Sequence, residues 1–322
     1  MFMELKPFPD TNKVKFKPEF EKRYKKLLGD RYDEYIKYSL SYLTRSIRIN
    51  TIKSTIPKVK KALKKRGWIL TQVPFCKEGF WVEYETGRLD IGNTLEHSLG
   101  YYYVQEAASM IPPIVLDPKP GELILDMCAA PGSKTTQIAQ YMENKGLVIA
   151  NDFTGIRLKP LGINVQRMGL TNVIITMMFG QWFAKKNIMF DKILVDAPCS
   201  GTGTIRKSLK TLRIWNPTMI ERLAATQRKL IETGFTILKP GGTMVYSTCS
   251  TEPIENEATV SYLLNNYKKA KLLDIKLNIP KSKTISEFDG EKYNSEVKKT
   301  LRLWPQDNNT EGFYVAKIEK QL

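Results

Sequence analysis

Residues 123–135 read LILDMCAAPGSKT, and this stretch decides the fold class. An apolar strand runs into a turn of Ala, Pro and Gly, and SKTTQIAQYM at 133–142 then begins a helix. Small residues in such a turn let the backbone approach a ligand, and the following helix presents free N–H groups. The G-x-x-x-x-G-K-[ST] spacing of a phosphate loop is absent, and so is the G-x-G-x-x-G of a nicotinamide-binding turn. The stretch therefore predicts a strand–turn–helix unit for another kind of ligand.

The alternation of strands and helices continues from about residue 111 to the end of the chain. Four further apolar stretches predict strands: LVIAND at 147–152, NVIITMM at 172–178, FDKILVD at 190–196 and GGTMVYST at 241–248. A long helix is predicted over 218–238, and FYVAKIEK at 313–320 predicts a final strand. This pattern indicates an α/β fold with an open, doubly wound, mainly parallel sheet. Such sheets bind ligands beyond the carboxyl ends of their strands.

The first third of the chain has a different pattern and is rich in lysine. Two helices are predicted between Lys17 and Leu43 and a basic amphipathic helix between Thr55 and Arg66, with SIRINTIK, WILTQVPF and FWVEYE as strands. We therefore expect a smaller α+β N-terminal domain, basic and RNA-binding, over 1–110 and a catalytic domain over 111–322. The formal net charge is +17. Basic runs beside a catalytic module favour a surface that follows phosphates over a merely solvated helix face.

The cysteines and the histidine exclude several classes of protein. The chain has four cysteines, Cys76, Cys128, Cys199 and Cys249, and no two form a C-x-x-C pair. Neither structural zinc nor a disulfide framework is expected. His97 is the only histidine and has no partner histidine, so it is interpreted as structural and no metal site is predicted. Without an apolar leader or a long apolar stretch, we expect a cytoplasmic protein with reduced thiols and no membrane partner.

Candidate reactive groups follow two strands that are expected to be neighbours. DAPC at 196–199 ends the fourth strand and STCS at 247–250 ends the fifth. Cysteine is commonly a small buried residue, but reactive groups belong at a strand end beside the ligand crevice. Spacing alone leaves both interpretations open. Asp152 ends the second strand, where an acid can accept hydrogen bonds from ribose hydroxyls; we favour this role over a helix cap.

Several stretches resemble the Sun/Fmu-type (Nop2/Sun) family of RNA cytosine-C5 methyltransferases. LDMCAAPGSKTTQIA resembles the family's cofactor loop, DAPCSGTGTIRK its cytosine-binding motif and YSTCS its nucleophile motif. RINTIK, GYYYVQEAASMIP, WNPTMIERLAATQRKLI and EGFYVAKIEK match in the expected order, so the resemblance covers Arg48 to the C-terminus. DAPCSGTG followed by STCS is far more specific than either motif alone. The resemblance implies a Rossmann-like class I methyltransferase fold, most like the archaeal tRNA enzymes of the family.

The resemblance implies a role for each residue of the site. Cys249 would be the nucleophile that adds to carbon 6 of cytosine, and Cys199 would serve proton removal and release. Asp196 would hydrogen-bond the ring nitrogen, and Lys134, with helix N-termini, would lower the pKa of Cys249. The implied methyl donor is S-adenosyl-L-methionine. The residues expected to bind this cofactor are Cys128, Ala129, Ala130, Pro131, Gly132, Ser133, Lys134, Asp152, Arg157, Asp196 and Pro198.

The sequence departs from the family pattern at two places. The family's third strand ends in an Asp-Gly pair that contacts the adenine amino group, whereas this chain has Phe179 and Gly180. A ring there could stack where a carboxylate would hydrogen-bond, so a modest cofactor affinity is expected. Pro160 and Gly162 interrupt a predicted helix. Because Pro costs about 3 kcal/mol inside a helix, we expect this one to be shortened or kinked.

The implied substrate is RNA, with tRNA favoured and rRNA as the alternative. For the oligomeric state, a monomer is favoured. The target base must be unpaired or flipped out to reach the crevice. Tyr101, Tyr102 and Tyr103 could flank this base, although packing against the sheet is the favoured interpretation. Two other functions stay open. A methyltransferase for exocyclic amino groups would carry D-P-P-Y or N-P-P-Y, and a non-catalytic RNA-binding or assembly factor would form no covalent adduct with RNA.

Overall fold

The computed structural model describes residues 5–85 and 90–322 of the chain. The described part before residue 111 contains four α-helices: α1 Pro18–Leu28, α2 Tyr32–Ser39, α3 Ile56–Lys65 and α4 Leu95–Ser98. It also contains four strands: β1 Ser46–Ile49, β2 Trp68–Gln72, β3 Gly79–Tyr84 and β4 Tyr102–Val104. These strands form one antiparallel sheet in the order β2-β3-β1-β4.

The helix α3 packs on this sheet through one apolar face. Val59 and Leu63 of α3 are fully buried and pack with Ile47 and Ile49 of β1. The apolar residues of α3 recur at helical spacing, so its lysines remain on the outer face. This arrangement confirms the predicted small α+β unit with an exposed basic helix.

The second part of the chain carries the larger sheet. Its helices are α5 Ile111–Leu116, α6 Ser133–Tyr141, α7 Gly155–Met168, α8 Lys210–Ile214, α9 Pro217–Thr236, α10 Glu257–Asn266 and α11 Pro305–Asn308. Its strands are β5 Leu123–Asp126, β6 Leu147–Asp152, β7 Val173–Met177, β8 Phe190–Asp196, β9 Leu238–Thr248, β10 Ala270–Leu273, β13 Leu301–Leu303 and β14 Phe313–Lys320, with a small hairpin of β11 Glu287–Phe288 and β12 Glu291–Lys292.

The larger sheet has the order β10-β14-β9-β8-β5-β6-β7, and β13 also pairs with β14. The five strands from β9 to β7 are parallel, whereas β14 is antiparallel to β9. Successive residues of β5 point to opposite faces: Ile124 packs with Val115 and Ile138, and Leu125 packs in a second cluster with Leu230. Helices therefore cover both faces, and the predicted doubly wound, mainly parallel sheet is confirmed.

The two N-terminal helices pack against the second part of the chain. Phe20 of α1 meets the Trp215 ring edge to face, and Tyr35 of α2 meets the Trp304 ring in the same way. The Tyr24 hydroxyl lies 2.8 Å from Thr251 Oγ1. All these aromatic residues belong to one buried cluster, so α1 and α2 brace the segment that follows β9.

The helix that was expected to be shortened or kinked at Pro160 is not shortened. The helix α7 runs over fourteen residues, from Gly155 to Met168, with Pro160 inside it. Pro160 removes one hydrogen bond, to the carbonyl of Ile156 four residues earlier. The Ile156 residue is 74% exposed, so water can satisfy that carbonyl and the helix continues.

Candidate active site

The carboxyl ends of β5, β6, β8 and β9 surround a cavity of about 650 Å³. It opens where β5 lies between β6 and β8, the point at which strand order reverses and open α/β sheets bind ligands. Eight of the residues predicted from the sequence line the cavity: Cys128, Ala130, Asp152, Arg157, Asp196, Pro198, Cys199 and Cys249. Five other predicted residues are not in its wall: Ala129, Pro131, Gly132, Ser133 and Lys134.

Cys199 and Cys249 meet at this cavity. They follow β8 and β9, which pair in parallel with Asp196 opposite Ser247, and their Sγ atoms are 3.2 Å apart. The hydrogen bond to Cys249, together with burial, raises the pKa of the Cys199 thiol well above its ordinary value. Cys199 therefore keeps its proton at neutral pH and can donate it toward the Cys249 sulfur.

A lysine and an aspartate form an ion pair beside the two thiols. Lys134 Nζ donates to Asp196 Oδ2 at 2.7 Å, and the Ser247 hydroxyl donates to Oδ1 at 2.7 Å. Burial alone would lower the pKa of Lys134, but the Asp196 carboxylate, with a smaller contribution from Cys249, raises it above its ordinary value. Lys134 therefore places a permanent positive charge behind the cavity, within electrostatic reach of Cys249.

A buried carboxyl fixes the two turns that carry the cysteines. The Ser200 N–H donates to Glu255 Oε1 at 2.9 Å, and the hydroxyls of Ser200 and Ser250 both donate to Oε2. Gln227 of α9 donates to Oε1 at 2.9 Å. Burial raises the pKa of the Glu255 carboxyl above its ordinary value. The sequence analysis did not predict this network, although Glu255, the last residue of STCSTEPIE, was an available signal.

The turn between β5 and α6 forms the floor of the cavity. The Ala129 N–H donates to the Asn151 carbonyl at 2.7 Å, which ties the turn to β6. Gly132 has a φ of 105°, a conformation that glycine adopts without strain, and α6 begins at the next residue. Burial raises the pKa of the Cys128 thiol well above its ordinary value, so this thiol stays protonated.

Asp152, at the end of β6, is both a wall residue and an anchor for the turn. Its Oδ2 accepts from the Ala130 N–H at 3.3 Å and lies 3.2 Å from Arg157 Nη1. Arg157 also donates to the Ala130 carbonyl at 2.9 Å. Asp152 at the end of β6 and Arg157 in α7 thus hold the turn between β5 and α6 in place.

Aromatic side chains form the remaining wall. The rings of Phe153 and Phe179 are 5.8 Å apart and within 15° of parallel, and both residues line the cavity. Phe153 is 54% exposed and Phe179 46% exposed. The Trp182 ring stands edge-on to Phe179 at 5.0 Å. Sequence reasoning singled out Phe179 but missed Phe153, although an apolar residue directly after the acid at a strand end was a usable signal.

The remaining predictions concern residues away from the cavity. Tyr102 and Tyr103 are buried and Tyr101 is partly buried, in agreement with the favoured interpretation that most of this run is packed. The His97 ring lies 5.7 Å from that of Tyr102 and does not line the cavity. Within residues 5–85 and 90–322, no group of three or more His, Cys, Asp or Glu side chains could hold a metal ion. No helix in that part of the chain is long and apolar enough to cross a membrane.

Two family models match this chain. The model described as 16S rRNA methyltransferase RsmB/F matches residues 113–319, and the model of the N-terminal domain of 16S rRNA methyltransferase RsmF matches residues 16–107. A tRNA (cytosine(49)-C(5))-methyltransferase from Pyrococcus abyssi is 46% identical, over 95% of this chain and 99% of that protein. A ribosomal RNA small subunit methyltransferase F from Shewanella loihica is 42% identical over 89% of this chain, which spans only 59% of that protein.

Two solved structures share the whole architecture. A methyltransferase homolog protein from Pyrococcus horikoshii has a TM-score of 0.86 and 38% identity, over 98% of this chain and 100% of that chain. NSun6 from the same organism, solved with SFG, has a TM-score of 0.82 and 26% identity, over 95% of this chain and 98% of that chain. The similarity therefore includes both the small N-terminal sheet and the larger sheet.

Proposed function

The chain belongs to the RsmB/F family of RNA methyltransferases, the Sun/Fmu-type family that its motifs resemble, and we propose that it methylates carbon 5 of a cytosine in tRNA. The observation that carries the proposal is the 3.2 Å separation of the Cys199 and Cys249 sulfurs beside the Lys134–Asp196 ion pair. A methyl transfer to an exocyclic amino group needs no such pair of thiols, whereas a transfer to carbon 5 needs both a nucleophile and a group that handles a proton.

Cys249 is assigned the nucleophilic role. Its thiolate adds to carbon 6, and the electron pair of the 5,6 double bond shifts toward carbon 5 and the ring nitrogen. This pair would form the bond to the methyl group while the bond between that methyl group and the sulfonium sulfur of the donor breaks, its electrons remaining on the sulfur. The carbon 5 proton then leaves, and the electron pair of its bond restores the 5,6 double bond. The bond between carbon 6 and sulfur breaks at the same time, which releases the Cys249 thiolate. Lys134 stabilises the thiolate through its charge, and its ion-pair partner Asp196 accepts a hydrogen bond from the ring nitrogen once that nitrogen is protonated in the adduct.

Cys199 is assigned to the later proton step. Its hydrogen bond to Cys249 is the largest cause of the raised pKa of the Cys199 thiol. Once Cys249 has become a thioether at carbon 6, that interaction is lost, and Cys199 ionises more easily. The same pair of sulfurs can therefore act in sequence, Cys249 first as nucleophile and Cys199 second as the base that assists release.

The cavity wall fits S-adenosyl-L-methionine as the methyl donor. Its volume lies within the roughly 300–1,000 Å³ of small-molecule sites. The carboxyls of Asp152 and Asp196 and the rings of Phe153 and Phe179 suit a cation joined through a ribose to an aromatic base. Asp152 would hold the ribose hydroxyls, Phe179 the adenine ring, and the turn after β5 the rest. When bound, the cofactor supplies an electrophilic methyl group on a sulfonium.

The choice of tRNA over rRNA comes from how the relatives align. This chain spans 99% of the Pyrococcus abyssi tRNA enzyme but only 59% of the Shewanella loihica rRNA enzyme. The rRNA enzyme has a large additional part that this chain does not match. Small-subunit rRNA is the second candidate, because both family models carry the description of 16S rRNA methyltransferases.

Incubation with tritiated S-adenosylmethionine and unmodified tRNA or small-subunit rRNA tests the proposal. We expect label in 5-methylcytosine of tRNA, none with Cys249→Ala, and a covalent protein–RNA complex that accumulates with Cys199→Ala. Cys76→Ala is the matched control, since Cys76 is buried in a separate cluster with Val73, Ala107 and Met110 and does not line the cavity. Label in rRNA alone would show that the substrate is rRNA and not tRNA. Cofactor binding without label in either pool would point to a different RNA or a missing partner, whereas the absence of both label and cofactor binding would favour the non-catalytic function.

A further inference from the structure

A second cavity, of about 750 Å³, lies between the N-terminal residues and the second part of the chain. Its lining shares no residue with the cavity at the strand ends. Lys6 and Phe8 form one side and are held by backbone bonds, from Phe8 N–H to Leu40 and from Tyr42 N–H to Lys6. Lys207 and Glu311 form the other side.

The lining combines aromatic rings with cations. Phe8 and Tyr42 meet edge to face with their centroids 4.7 Å apart, and Tyr42 remains 42% exposed. Lys6, Arg45 and Lys207 line the same space. Exposed rings supply stacking surfaces for nucleic-acid bases, and cations around them attract the phosphates of a single strand.

A buried carboxyl with an unused oxygen lies in the same wall. Glu311 is 4% exposed, and its Oε1 has no hydrogen-bond partner. Burial, together with the neighbouring Glu106 carboxyl, raises the pKa of Glu311 to about 8. At neutral pH the side chain is therefore a neutral acid, which does not repel phosphate. It offers one donor and one acceptor, as a base edge requires.

This second cavity is connected to the nucleophile by two backbone hydrogen bonds. The Gly312 N–H donates to the Gly203 carbonyl at 2.9 Å, and the Gly203 N–H donates to the Cys249 carbonyl at 2.9 Å. A Cβ on Gly203 would lie 2.1 Å from the Gly312 carbonyl oxygen, so no other residue permits this approach. Glu311, next to Gly312, is thus linked to the backbone of Cys249 through two successive hydrogen bonds.

We propose that this cavity binds an unpaired base of the RNA, a near neighbour of the target cytosine, with its ring stacked on Tyr42 and its edge hydrogen-bonded to Glu311. The inference rests on the proposed function for its choice of RNA. A second bound base holds the strand in the splayed conformation that the target base needs to enter the crevice. Because a neutral acid can pair with the edge of any base, the site is tolerant of sequence.

Binding of a short oligocytidine, compared with an abasic ribose-phosphate chain of equal length, tests the proposal. Tyr42→Ala should weaken oligocytidine binding at least about fivefold, the factor equivalent to 1 kcal/mol of lost stacking, and leave binding of the abasic chain unchanged. Lys268→Ala, an exposed lysine beyond α10, is the control and should change neither. Equal weakening of both ligands by Tyr42→Ala, or no weakening, would overturn the proposal.

Two variants of Glu311 supply a second readout. Glu311→Gln keeps one donor and one acceptor and should bind oligocytidine as the wild type does, whereas Glu311→Leu should weaken it as Tyr42→Ala does. An unchanged thermal midpoint and cofactor affinity show that each variant is folded. If the Gln and Leu variants bound oligocytidine equally well, Glu311 would not be part of the proposed site. These binding measurements need no turnover, so they stand even where the labelling experiment fails and the proposed function falls.

Discussion

The two ends of the cavity are built in opposite ways. At the nucleophile end, comprising residues 196–204 and 247–256, polar side chains are buried and bonded to one another, and Glu255 alone accepts from Ser200, Ser250 and Gln227. At the proposed cofactor end, comprising residues 151–153 and 177–182, Asn151 and Asp152 are also buried and hydrogen-bonded, but the aromatic side chains of Phe153, Phe179 and Trp182 are about half exposed. One end is fixed by hydrogen bonds and the other offers an apolar surface.

This difference follows from what each end has to do. Addition of a sulfur to one ring carbon requires the reacting atoms to be held within a few tenths of an ångström, which a satisfied buried network achieves. Stacking of an adenine ring tolerates small displacements, because the interaction is spread over the face of the ring and does not depend on one pair of atoms. On the proposed assignment, the nucleophile end keeps the family motifs because it must be exact, and the cofactor end can have Phe179 where the family has an aspartate.

The largest expected effect comes from opening the network at Glu255. Glu255→Ala leaves the buried Ser200 N–H and one of the two Gln227 amide N–H groups without an acceptor, since the other still donates to the Pro198 carbonyl. Each buried donor left without a partner costs about 1–3 kcal/mol. We expect urea unfolding to show a loss of about 3–5 kcal/mol, together with loss of methyl transfer. Glu255→Gln, which keeps the acceptor, should restore most of both. Glu287→Ala, an exposed control, should stay within about 0.5 kcal/mol.

Asp196→Asn tests the nucleophile end through the rate of methyl transfer. The variant keeps the shape of the side chain and the acceptor for Ser247, but it removes the charge that pairs with Lys134. Preorganised groups of this kind contribute about 10²–10³-fold to the rate. Single-turnover methylation at saturating cofactor should fall by that factor, whereas Ser247→Ala should cost far less. A rate within a few fold of wild type would remove Asp196 from the reaction.

The sequence predicted the nucleophile end for a simple physical reason. Parallel strands of one sheet end on the same edge, so DAPC and STCS could be placed together before any coordinates. The Glu255 network depends on the turn after β9 and on Gln227 of helix α9, which is distant in the sequence. Neither contact produces a periodic sequence pattern from which it could have been predicted. The second cavity brings Lys6 and Glu311 together from the two ends of the chain, a contact that no local pattern encodes.

Asp126 lies on β5, between the two ends, and gives a prediction about pH. Burial raises the pKa of its carboxyl to about 7, from an ordinary value of 3.8. Between these values the folded protein holds a proton that the unfolded chain has lost, so stability falls as pH rises, by at most about 1.4 kcal/mol per pH unit. Asp126→Asn keeps the acceptor for Thr135 and should flatten this slope in urea unfolding. Parallel curves for the variant and wild type would contradict the prediction.

The smallest expected effect comes from the cofactor end, at Phe179. If the ring stacks on adenine, Phe179→Ala should weaken cofactor binding about fivefold, equivalent to about 1 kcal/mol, at an unchanged rate with saturating cofactor. Trp182→Ala should do less, since Trp182 contacts Phe179 but not the cavity. Stacking also predicts that wild type binds a hypoxanthine analogue of the cofactor nearly as well as the adenine form, and that Phe179→Asp rejects it. Strong rejection of hypoxanthine by wild type would instead show that a polar group, with Gln181 in the wall as the nearest candidate, reads the adenine edge.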